Sequence, residues 1–99
     1  MRKITSAICL AFESRNKLAM GNSMTDGETL FLHANAIARH GAEGLEVTTA
    51  GWDTNTTRER LNGLDGVSAY RRKGELILNG RKWHGDWVNV LKWGTGDIK

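Results

Sequence analysis

Two glycine-containing turns, six positions apart, constrain the fold of this chain more than any other feature of its sequence. Asn79-Gly80 is a pair that adopts the two positive φ angles of a two-residue hairpin turn, and Lys73-Gly74 marks a second turn upstream. Both pairs stand between short runs of β-forming residues, so the chain has to reverse direction at each of them. The pattern predicts an antiparallel meander with strands at 67–72, 75–78 and 81–83.

The first residues of the chain have the spacing of an amphipathic helix. Apolar residues recur at helical intervals between Ile4 and Phe12, and Thr5 is a residue type that caps helices. The spacing predicts a helix over 5–16. Cys9 flanks the apolar face without a histidine or aspartate pattern beside it, so we expect a buried thiol and not a nucleophile.

Between the first helix and residue 50 the sequence predicts two strands separated by turns. The small polar residues of 21–28 are typical of a loop. Apolar residues then alternate, which predicts a strand within 29–40, and Asn35-Ala36 turns the chain back. A turn at 41–44 leads into alternating, β-branched residues that predict a strand over 45–49.

A second helix is indicated by a capping pattern. Thr56 and Glu59 have the spacing of a capping box, in which each side chain binds the other residue's backbone N–H. The pattern predicts a short helix over 57–62. Gly63 fits the left-handed position that commonly ends a helix, and Asp65-Gly66 then turns the chain toward the meander.

The order of these elements predicts the class of the fold. Residues 87–93 alternate in a way that predicts a last strand or a packed arm, and 94–99 is interpreted as a frayed tail. The order is then α-β-β-α-β-β-β, with one further strand if 87–93 pairs. This order predicts an α+β fold with a largely antiparallel sheet and two short helices, in a single domain over 1–99.

Composition limits the environments and partners of the chain. The formal net charge is +3, and residues 58–82 carry seven basic against three acidic side chains, which favours an anionic partner and disfavours mimicry of nucleic acid. A single cysteine excludes an internal disulfide framework and favours a reducing compartment. No apolar run approaches the roughly 18–20 positions that a membrane helix requires, so we expect a cytoplasmic protein that does not enter a membrane.

The sequence motifs that carry catalytic or metal chemistry are absent. The three histidines, His33, His40 and His84, lie on separate segments without the spacing of metal ligands. No serine stands in a nucleophile motif, and no glycine-rich loop has the spacing that binds phosphate. Glu59 is explained by the cap and Asp65 by its turn. We therefore expect a protein that is not an enzyme and that needs no metal or cofactor.

Aromatic and basic side chains in the second half of the chain are the candidates for binding. Tyr70 stands next to three cations at one hairpin turn, and Trp83 follows two cations at the other. Neighbouring basic hairpins attract phosphates and exposed rings stack on bases, although rings at such positions more often belong to the core. The residues that we expect to bind are Trp52, Arg58, Arg60, Tyr70, Arg71, Arg72, Lys73, Arg81, Lys82 and Trp87.

Four segments of the chain resemble a family of small proteins of tailed bacteriophages. They are "MRKIT" (1–5), "LFLHANAIA" (30–38), "GLEVTTAGWDTNTTRERLNGLDGVSAY" (44–70) and "LILNGRKWHGDW" (76–87). The central segment is the most specific of the four, whereas the chain from Cys9 to Thr29 matches poorly. Members of the family are described as hypothetical proteins, so the resemblance implies a phage origin and supplies no catalytic residues.

Three hypotheses for the function follow from the sequence. The first is a phage accessory protein that binds a host protein or ribonucleoprotein complex and inhibits it, with a defence complex such as a CRISPR effector as the target. The second is a module that binds DNA, RNA or nucleotides through the basic hairpins. The third is a minor virion or assembly protein. Four tryptophans, a small core and open strand edges also favour pairing into a homodimer.

Overall fold

The computed structural model describes residues 2–95, and their side chains as far as residue 93. The helices in this part of the chain are α1 (Lys3–Glu13), α2 (Asn55–Asn62) and α3 (Val90–Thr95). The strands are β1 (Lys17–Met20), β2 (Ser23–Asp26), β3 (Thr29–Leu32), β4 (Asn35–Gly41), β5 (Gly44–Val47), β6 (Ala69–Arg72), β7 (Glu75–Leu78), β8 (Arg81–Lys82) and β9 (Val88–Asn89). One apolar core receives side chains from helices and from both sheets, so the predicted α+β class is confirmed.

Six of these strands form one antiparallel sheet in the order β1-β2-β3-β4-β5-β9. The pairing places Leu18, Thr25, Leu30, Ala38 and Val47 in one row across the sheet. All but Leu18 in this row are fully buried, so the row faces the core. Helix α1 contacts the first three strands of the sheet and covers this face.

The meander predicted from the two glycine turns is confirmed as a second sheet, in which β6, β7 and β8 pair antiparallel. Lys73 and Gly74 have φ angles of 52° and 81°, and Asn79 and Gly80 have φ angles of 49° and 86°. Positive φ at both central residues gives a turn whose twist matches that of the flanking strands. Local turn chemistry therefore determines the path of the chain through this sheet.

Helix α1 begins and ends earlier than the predicted 5–16. Thr5 does not cap it but lies within it, where its side chain is fully buried. The other buried residues of the helix are Ile8, Cys9 and Phe12. The predicted apolar face is therefore shifted toward Thr5 and Cys9, because these side chains meet α2.

The buried thiol expected at Cys9 is confirmed. The residue is 1% exposed, and its Sγ donates a hydrogen bond to the carbonyl oxygen of Arg60 at 3.2 Å. Burial raises the pKa of Cys9 to about 12, and the charge of Glu13 acts in the same direction. The thiol is therefore held in its protonated, unreactive form.

We expect native protein to be inert to a thiol reagent such as Ellman's reagent near neutral pH, because only the exposed thiolate reacts. The same protein unfolded in guanidinium chloride should react at its single cysteine. Release of the coloured thiolate product, followed by absorbance, measures both reactions. Rapid stoichiometric labelling of the folded chain would contradict the burial of Cys9.

Helix α2 begins earlier than predicted because a different threonine caps it. Thr54 is the N-cap, and its Oγ1 accepts a hydrogen bond from the backbone N–H of Thr57 at 3.1 Å. The predicted capping box of Thr56 and Glu59 is therefore wrong. Thr56 lies inside the helix, and the Glu59 carboxylate accepts a hydrogen bond from the hydroxyl of Thr5 at 2.6 Å instead.

Gly63 ends α2, but it does not adopt the predicted left-handed conformation, since its φ angle is −78°. A Cβ at this position would lie 2.6 Å from Cγ2 of Thr5 and 2.7 Å from Sγ of Cys9. Both of these side chains are buried and have no space to withdraw. Glycine is required here because α1 and α2 approach each other too closely for a side chain.

The first hairpins of the six-stranded sheet depart from the prediction. Strand β2 occupies the centre of 21–28, for which the composition predicts a loop. Its Ser23 and Thr25 are buried, so tertiary packing stabilises a strand that its polar composition does not indicate. The turn between β3 and β4 is His33-Ala34 and not Asn35-Ala36.

The C-terminal segment is only partly the strand predicted for 87–93. Strand β9 pairs with β5 over two residues, and the chain then continues as α3. Of the predicted tail, residues 94 and 95 end α3, and 96–99 lie outside the described residues. Within the described part of the chain, no helix is both long enough and apolar enough to span a membrane.

Candidate functional site: a cleft beside Trp52

The structure separates the ten residues predicted to bind into four environments. Arg60 is buried in the interior. Trp52 lies in the loop before α2, and Arg58 lies on that helix. Trp87 directly precedes β9. The others belong to the three-stranded sheet and its first turn: Tyr70, Arg71, Arg72, Lys73, Arg81 and Lys82.

Arg60 is a core residue, 1% exposed, and the expected surface contact is therefore wrong. Its Nε donates to Oγ of Ser23 at 2.9 Å, and its Nη1 donates to Oγ1 of Thr5 at 2.6 Å. Nη1 also pairs with the carboxylate of Glu59, and Nη2 donates to Oδ1 of Asn22 at 3.2 Å. The guanidinium thus joins α2 to α1 and to the hairpin between β1 and β2.

The carboxylate of Glu59 compensates the buried positive charge of Arg60. Partial burial raises its pKa, but hydrogen bonds from the Thr5 hydroxyl and the Arg2 backbone N–H lower it, as do the charges of Arg60 and Arg2. The lowering contributions prevail, so the pKa of Glu59 lies below its ordinary value. The folded state therefore favours the ionised form of this group.

Replacement of Glu59 by glutamine is expected to weaken the acid sensitivity of the fold. A carboxyl group with a depressed folded-state pKa contributes stability above its unfolded pKa, and that contribution is lost as the pH falls through the folded value. We expect the free energy of unfolding of the wild type to fall as the pH drops below the ordinary value of 4.5, and that of the variant to fall less steeply. Urea denaturation at a series of pH values measures both slopes.

The control for this experiment is Glu28→Gln, because Glu28 lies in an exposed ion pair with Arg15. Its slope should follow that of the wild type. Identical slopes for Glu59→Gln and the wild type would refute the stabilising role of the ionised Glu59.

Asp53 joins two of the predicted binding arginines. Its two carboxylate oxygens accept hydrogen bonds from Nη1 of Arg58 and from Nη1 of Arg71. The Nη2 atoms are also engaged, that of Arg58 with Oδ1 of Asn55 and that of Arg71 with the carbonyl oxygen of Gly74. These guanidinium groups therefore connect the Trp52 loop to α2 and to the meander.

The outer face of the three-stranded sheet carries the basic and aromatic surface. The register aligns Tyr70, Ile77 and Lys82 across the three strands, and side chains that are directly opposite share a face. Arg72 and Glu75 pair on the same face. Tyr70 is 36% exposed, and Nζ of Lys82 lies 3.5 Å from the Glu75 carboxylate. One acidic side chain thus stands among two basic ones on this face.

The indole of Trp83 lies on the opposite, buried side of the same sheet. Trp83 is 2% exposed, and its Nε1 donates to the carbonyl oxygen of Asp86 at 3.0 Å, so this ring belongs to the core, the more common position for rings in such a pattern, and does not stack on a ligand. Trp93 donates from Nε1 to the carbonyl oxygen of Leu78 at 2.7 Å. The guanidinium of Arg81 lies 4.7 Å from the centre of the Trp93 ring. Arg81 therefore holds α3 against the meander.

Trp87 is 36% exposed, and an arginine covers one side of its ring. The guanidinium of Arg39 lies 3.9 Å from the ring centre, a cation–π contact, and it also pairs with Glu46. This ring is therefore less available to a partner than that of Trp52, which is 60% exposed.

Trp52 stands at the edge of a cavity of about 540 Å³, which we name the Trp52 cleft. The cleft lies between the hairpin of β3 and β4, the loop before α2 and the first turn of α2. Leu32 and Ile37, which are 4% and 1% exposed, form its buried apolar floor. Its residues are Leu32, His33, Asn35, Ile37, Thr49, Ala50, Trp52, Thr54, Thr56 and Thr57.

The loop that carries Trp52 is held by hydrogen bonds to the backbone of a glycine in another segment. The carbonyl oxygen of Gly85 accepts from Oγ1 of Thr48 at 2.6 Å, from Oγ1 of Thr49 at 3.2 Å and from the Thr49 backbone N–H at 2.8 Å. The N–H of Trp52 then donates to the carbonyl oxygen of Thr49 at 2.9 Å. These bonds therefore hold the backbone from which the indole projects.

Strained backbone surrounds the cleft. His33, Ala34 and Ala50 have φ angles of 51°, 67° and 57°, in a region that costs a residue with a Cβ roughly 1–2 kcal/mol. His33 and Ala50 line the cleft, and Ala34 completes the turn with His33. Such conformations are found at functional sites and also in ordinary turns, and Arg15, Lys73 and Asn79 share them elsewhere in the chain, so the exposed indole and the cavity mark this region and the strain only accompanies them.

Ala34→Gly is expected to stabilise the protein by about 0.5–1 kcal/mol, because relief of the left-handed strain exceeds the entropy that glycine adds to the unfolded chain. Chemical denaturation measures the change. Ala19→Gly is the matched control, since Ala19 is an exposed strand residue of β1, and this variant should lose stability. Destabilisation by both substitutions would contradict the strain at Ala34.

Sequence reasoning missed most residues of the cleft and identified only Trp52. A signal was present, because the segment "TTAGWDTNTT" (48–57) places five threonines around the tryptophan. Three of the side chains, Thr48, Thr49 and Thr57, are buried. The sequence pattern placed these threonines at the end of a strand and at a helix cap. It did not indicate that most of them line one cavity.

The three histidines have different surroundings. His40 stacks on Phe12 with ring centres 4.2 Å apart, and its Nε2 lies 2.8 Å from the carbonyl oxygen of Phe12. His33 lines the cleft, and His84 is exposed. Across residues 2–95, no cluster of three or more histidine, cysteine, aspartate or glutamate side chains could hold a metal ion.

Fold and cleft together define a small α+β domain with a solvent-open cavity that combines an apolar floor with threonine side chains. Residues 1–97 match the model of the family described as Kyanoviridae Gp96 protein, so the chain belongs to this family of cyanophage proteins. The phage origin that the sequence resemblance implied is therefore confirmed. Neither the curated proteins nor the solved structures contain a match to the chain.

Proposed function

We propose that the chain is a phage accessory protein that acts in the host cytoplasm by binding a host protein complex, without catalysing a reaction. The observation that carries the proposal is the indole of Trp52, which is 60% exposed at the edge of a 540 Å³ cleft. Tryptophan is among the residues that dominate binding energy at protein interfaces. An exposed tryptophan beside a cavity supports recognition of a partner over a role in folding.

A host defence complex is the class of target that we propose. The membership of a cyanophage family supports action within an infected cell. Deletion of the phage gene should reduce plating on hosts that carry the targeted defence and leave plating on undefended hosts unchanged. Equal plating of the deletion phage on every defended host would remove the support for this target class.

Affinity purification from infected cells tests binding itself. Tagged wild-type protein should retain a host protein after nuclease treatment, and Trp52→Ala should lose it. Leu10→Ala is the matched control, because Leu10 is 65% exposed on α1 and lies outside the cleft, and this variant should retain the partner. Retention of the same partner by Trp52→Ala would overturn the assignment of the site.

Nucleic-acid binding is the second candidate, and one observation favours it. Tyr70, Arg72 and Lys82 share the outer face of the three-stranded sheet, and Tyr70 is 36% exposed. An accessible ring between cations is the arrangement on which single-stranded nucleic acids stack. Glu75 on the same face opposes this function, which is why we place it second.

Titration with labelled single-stranded DNA and RNA at several salt concentrations tests the second candidate. Binding through this face predicts affinity that falls as salt rises, with a slope that reports the phosphates neutralised. Arg72→Glu should weaken it, and Lys17→Glu at the exposed start of β1 should not. No binding at low salt would eliminate this candidate.

A further inference from the structure

The Trp52 cleft is lined by apolar and polar residues, and His33 is the one histidine among the described residues that line it. Its floor is made by Leu32 and Ile37, and its walls combine threonine side chains with the Trp52 indole. No aspartate, glutamate, lysine or arginine is among the described residues that line it. An ion seated in the cleft would lose hydration and meet no carboxylate, ammonium or guanidinium group of the described lining, so the cleft favours an uncharged occupant.

The hydroxyl groups of the cleft are largely engaged within the protein. Oγ1 of Thr54 accepts from the N–H of Thr57 at 3.1 Å and lies 3.0 Å from the Thr57 hydroxyl. Oγ1 of Thr49 donates to the carbonyl oxygen of Gly85. Because the hydroxyls of Thr49, Thr54 and Thr57 already have partners, they offer a ligand few further hydrogen bonds, and the buried floor of Leu32 and Ile37 favours an apolar occupant.

The cations that neighbour the Trp52 loop are also engaged. Asp53 follows Trp52 directly and binds both Arg58 and Arg71. The four Nη atoms of these arginines donate to groups of the protein itself. A nucleotide in the cleft would need new partners for its phosphate, whereas an aromatic side chain of a protein needs none.

We infer that the Trp52 cleft binds one uncharged aromatic side chain of a protein partner, with its ring against the indole of Trp52. A volume of about 540 Å³ is ample for such a side chain together with the adjoining backbone. Offset or edge-to-face contact with the indole adds to the burial of apolar area on Leu32 and Ile37. The inference rests on the proposed function in that the partner is a protein.

N-acetyl-L-tyrosinamide and N-acetyl-L-tryptophanamide are suitable probes, with adenosine monophosphate as the nucleotide comparison. ¹H–¹⁵N correlation spectra should show saturable shifts of the Trp52 indole N–H and of backbone amides near Ala50 with the two aromatic amides, in the millimolar range. Adenosine monophosphate should produce smaller shifts or none. Larger shifts with the nucleotide than with the aromatic amides would overturn the inference, as would the absence of shifts with all three.

A variant that fills the cavity provides the decisive comparison. Thr56→Phe adds bulk at a half-buried residue of the lining and should weaken probe binding by about tenfold or more. Ser6→Phe adds the same bulk at an exposed position of α1, outside the cleft, and should leave binding unchanged. Folding of both variants is checked by their spectra. Undiminished binding by a folded Thr56→Phe variant would overturn the inference.

Partner capture separates this inference from the proposed function. If Thr56→Phe still captures a host protein that Trp52→Ala loses, the proposed function stands and the inference fails. If the aromatic amides bind in the cleft but no host protein is captured, the cleft takes an aromatic group and the proposed function fails. Loss of capture in both variants, with retention by Ser6→Phe, supports both.

Discussion

Arg60→Ala is expected to lower the free energy of unfolding by about 3–5 kcal/mol, the effect of removing one partner from a buried, hydrogen-bonded charge network. Arg60 is 1% exposed and joins α2 to α1 and to the first hairpin. Its loss leaves Ser23 and Thr5 without their guanidinium partner and creates a cavity where three elements meet. For a chain of 99 residues this is a large part of the total stability.

Urea or guanidinium denaturation, followed by circular dichroism, measures this effect. Arg60→Lys should recover part of the lost stability, since one ammonium group keeps the charge but does not reproduce the planar fork. Arg72→Ala is the matched control on the exposed face of β6 and should change stability by less than about 0.5 kcal/mol. An Arg60→Ala variant as stable as Arg72→Ala would contradict the buried network.

Arg58 and Arg60 illustrate what the sequence alone does not determine about the site, namely which of two nearby arginines is buried. Both arginines lie on α2, and residues two apart on a helix project in nearly opposite directions. The spacing therefore requires that they differ in environment. It does not say which one is buried, because that depends on Ser23 and Asn22 being brought to α2 by pairing in the other sheet.

The fold was predictable where local chemistry determines it. Lys73-Gly74 and Asn79-Gly80 specify their turns by backbone conformation, so the meander followed from sequence. Strand β2 was not predictable, because Ser23 and Thr25 are polar residues buried beneath α1. Likewise, His33-Ala34 forms a strained turn that neither residue favours by itself, so only the surrounding sheet explains it.

Gly63 shows that a glycine at the end of a helix can be required for different physical reasons. Sequence reasoning assigned it to a left-handed helix end, which is the commonest use of glycine at that position. In the structure it is glycine because Thr5 and Cys9 leave no room for a Cβ. Such a requirement depends on how two helices pack, and a single sequence does not contain the distance between them.

Gly85→Ala is expected to destabilise the protein by about 3 kcal/mol, since it combines two costs. Gly85 has a φ angle of 88°, which is unfavourable for a residue with a Cβ. The new Cβ would also lie 2.5 Å from Oγ1 of Thr49, a buried side chain that is hydrogen-bonded to the same glycine. Gly80→Ala separates the two costs, because Gly80 has a φ angle of 86° and a Cβ added there would meet nothing within 4 Å.

Gly80→Ala should therefore cost only about 1 kcal/mol, the strain without the collision. Chemical denaturation of both variants gives the difference, which we assign to contact with Thr49. Removing the obstructing hydroxyl in the double variant Gly85→Ala/Thr49→Ala should make the glycine substitution less costly than it is beside Thr49. Because Gly85 holds the segment that leads to Trp52, a folded Gly85→Ala variant should also shift the Trp52 indole signal. Equal losses for Gly80→Ala and Gly85→Ala would show that the loop yields to the new side chain and does not hold the cleft.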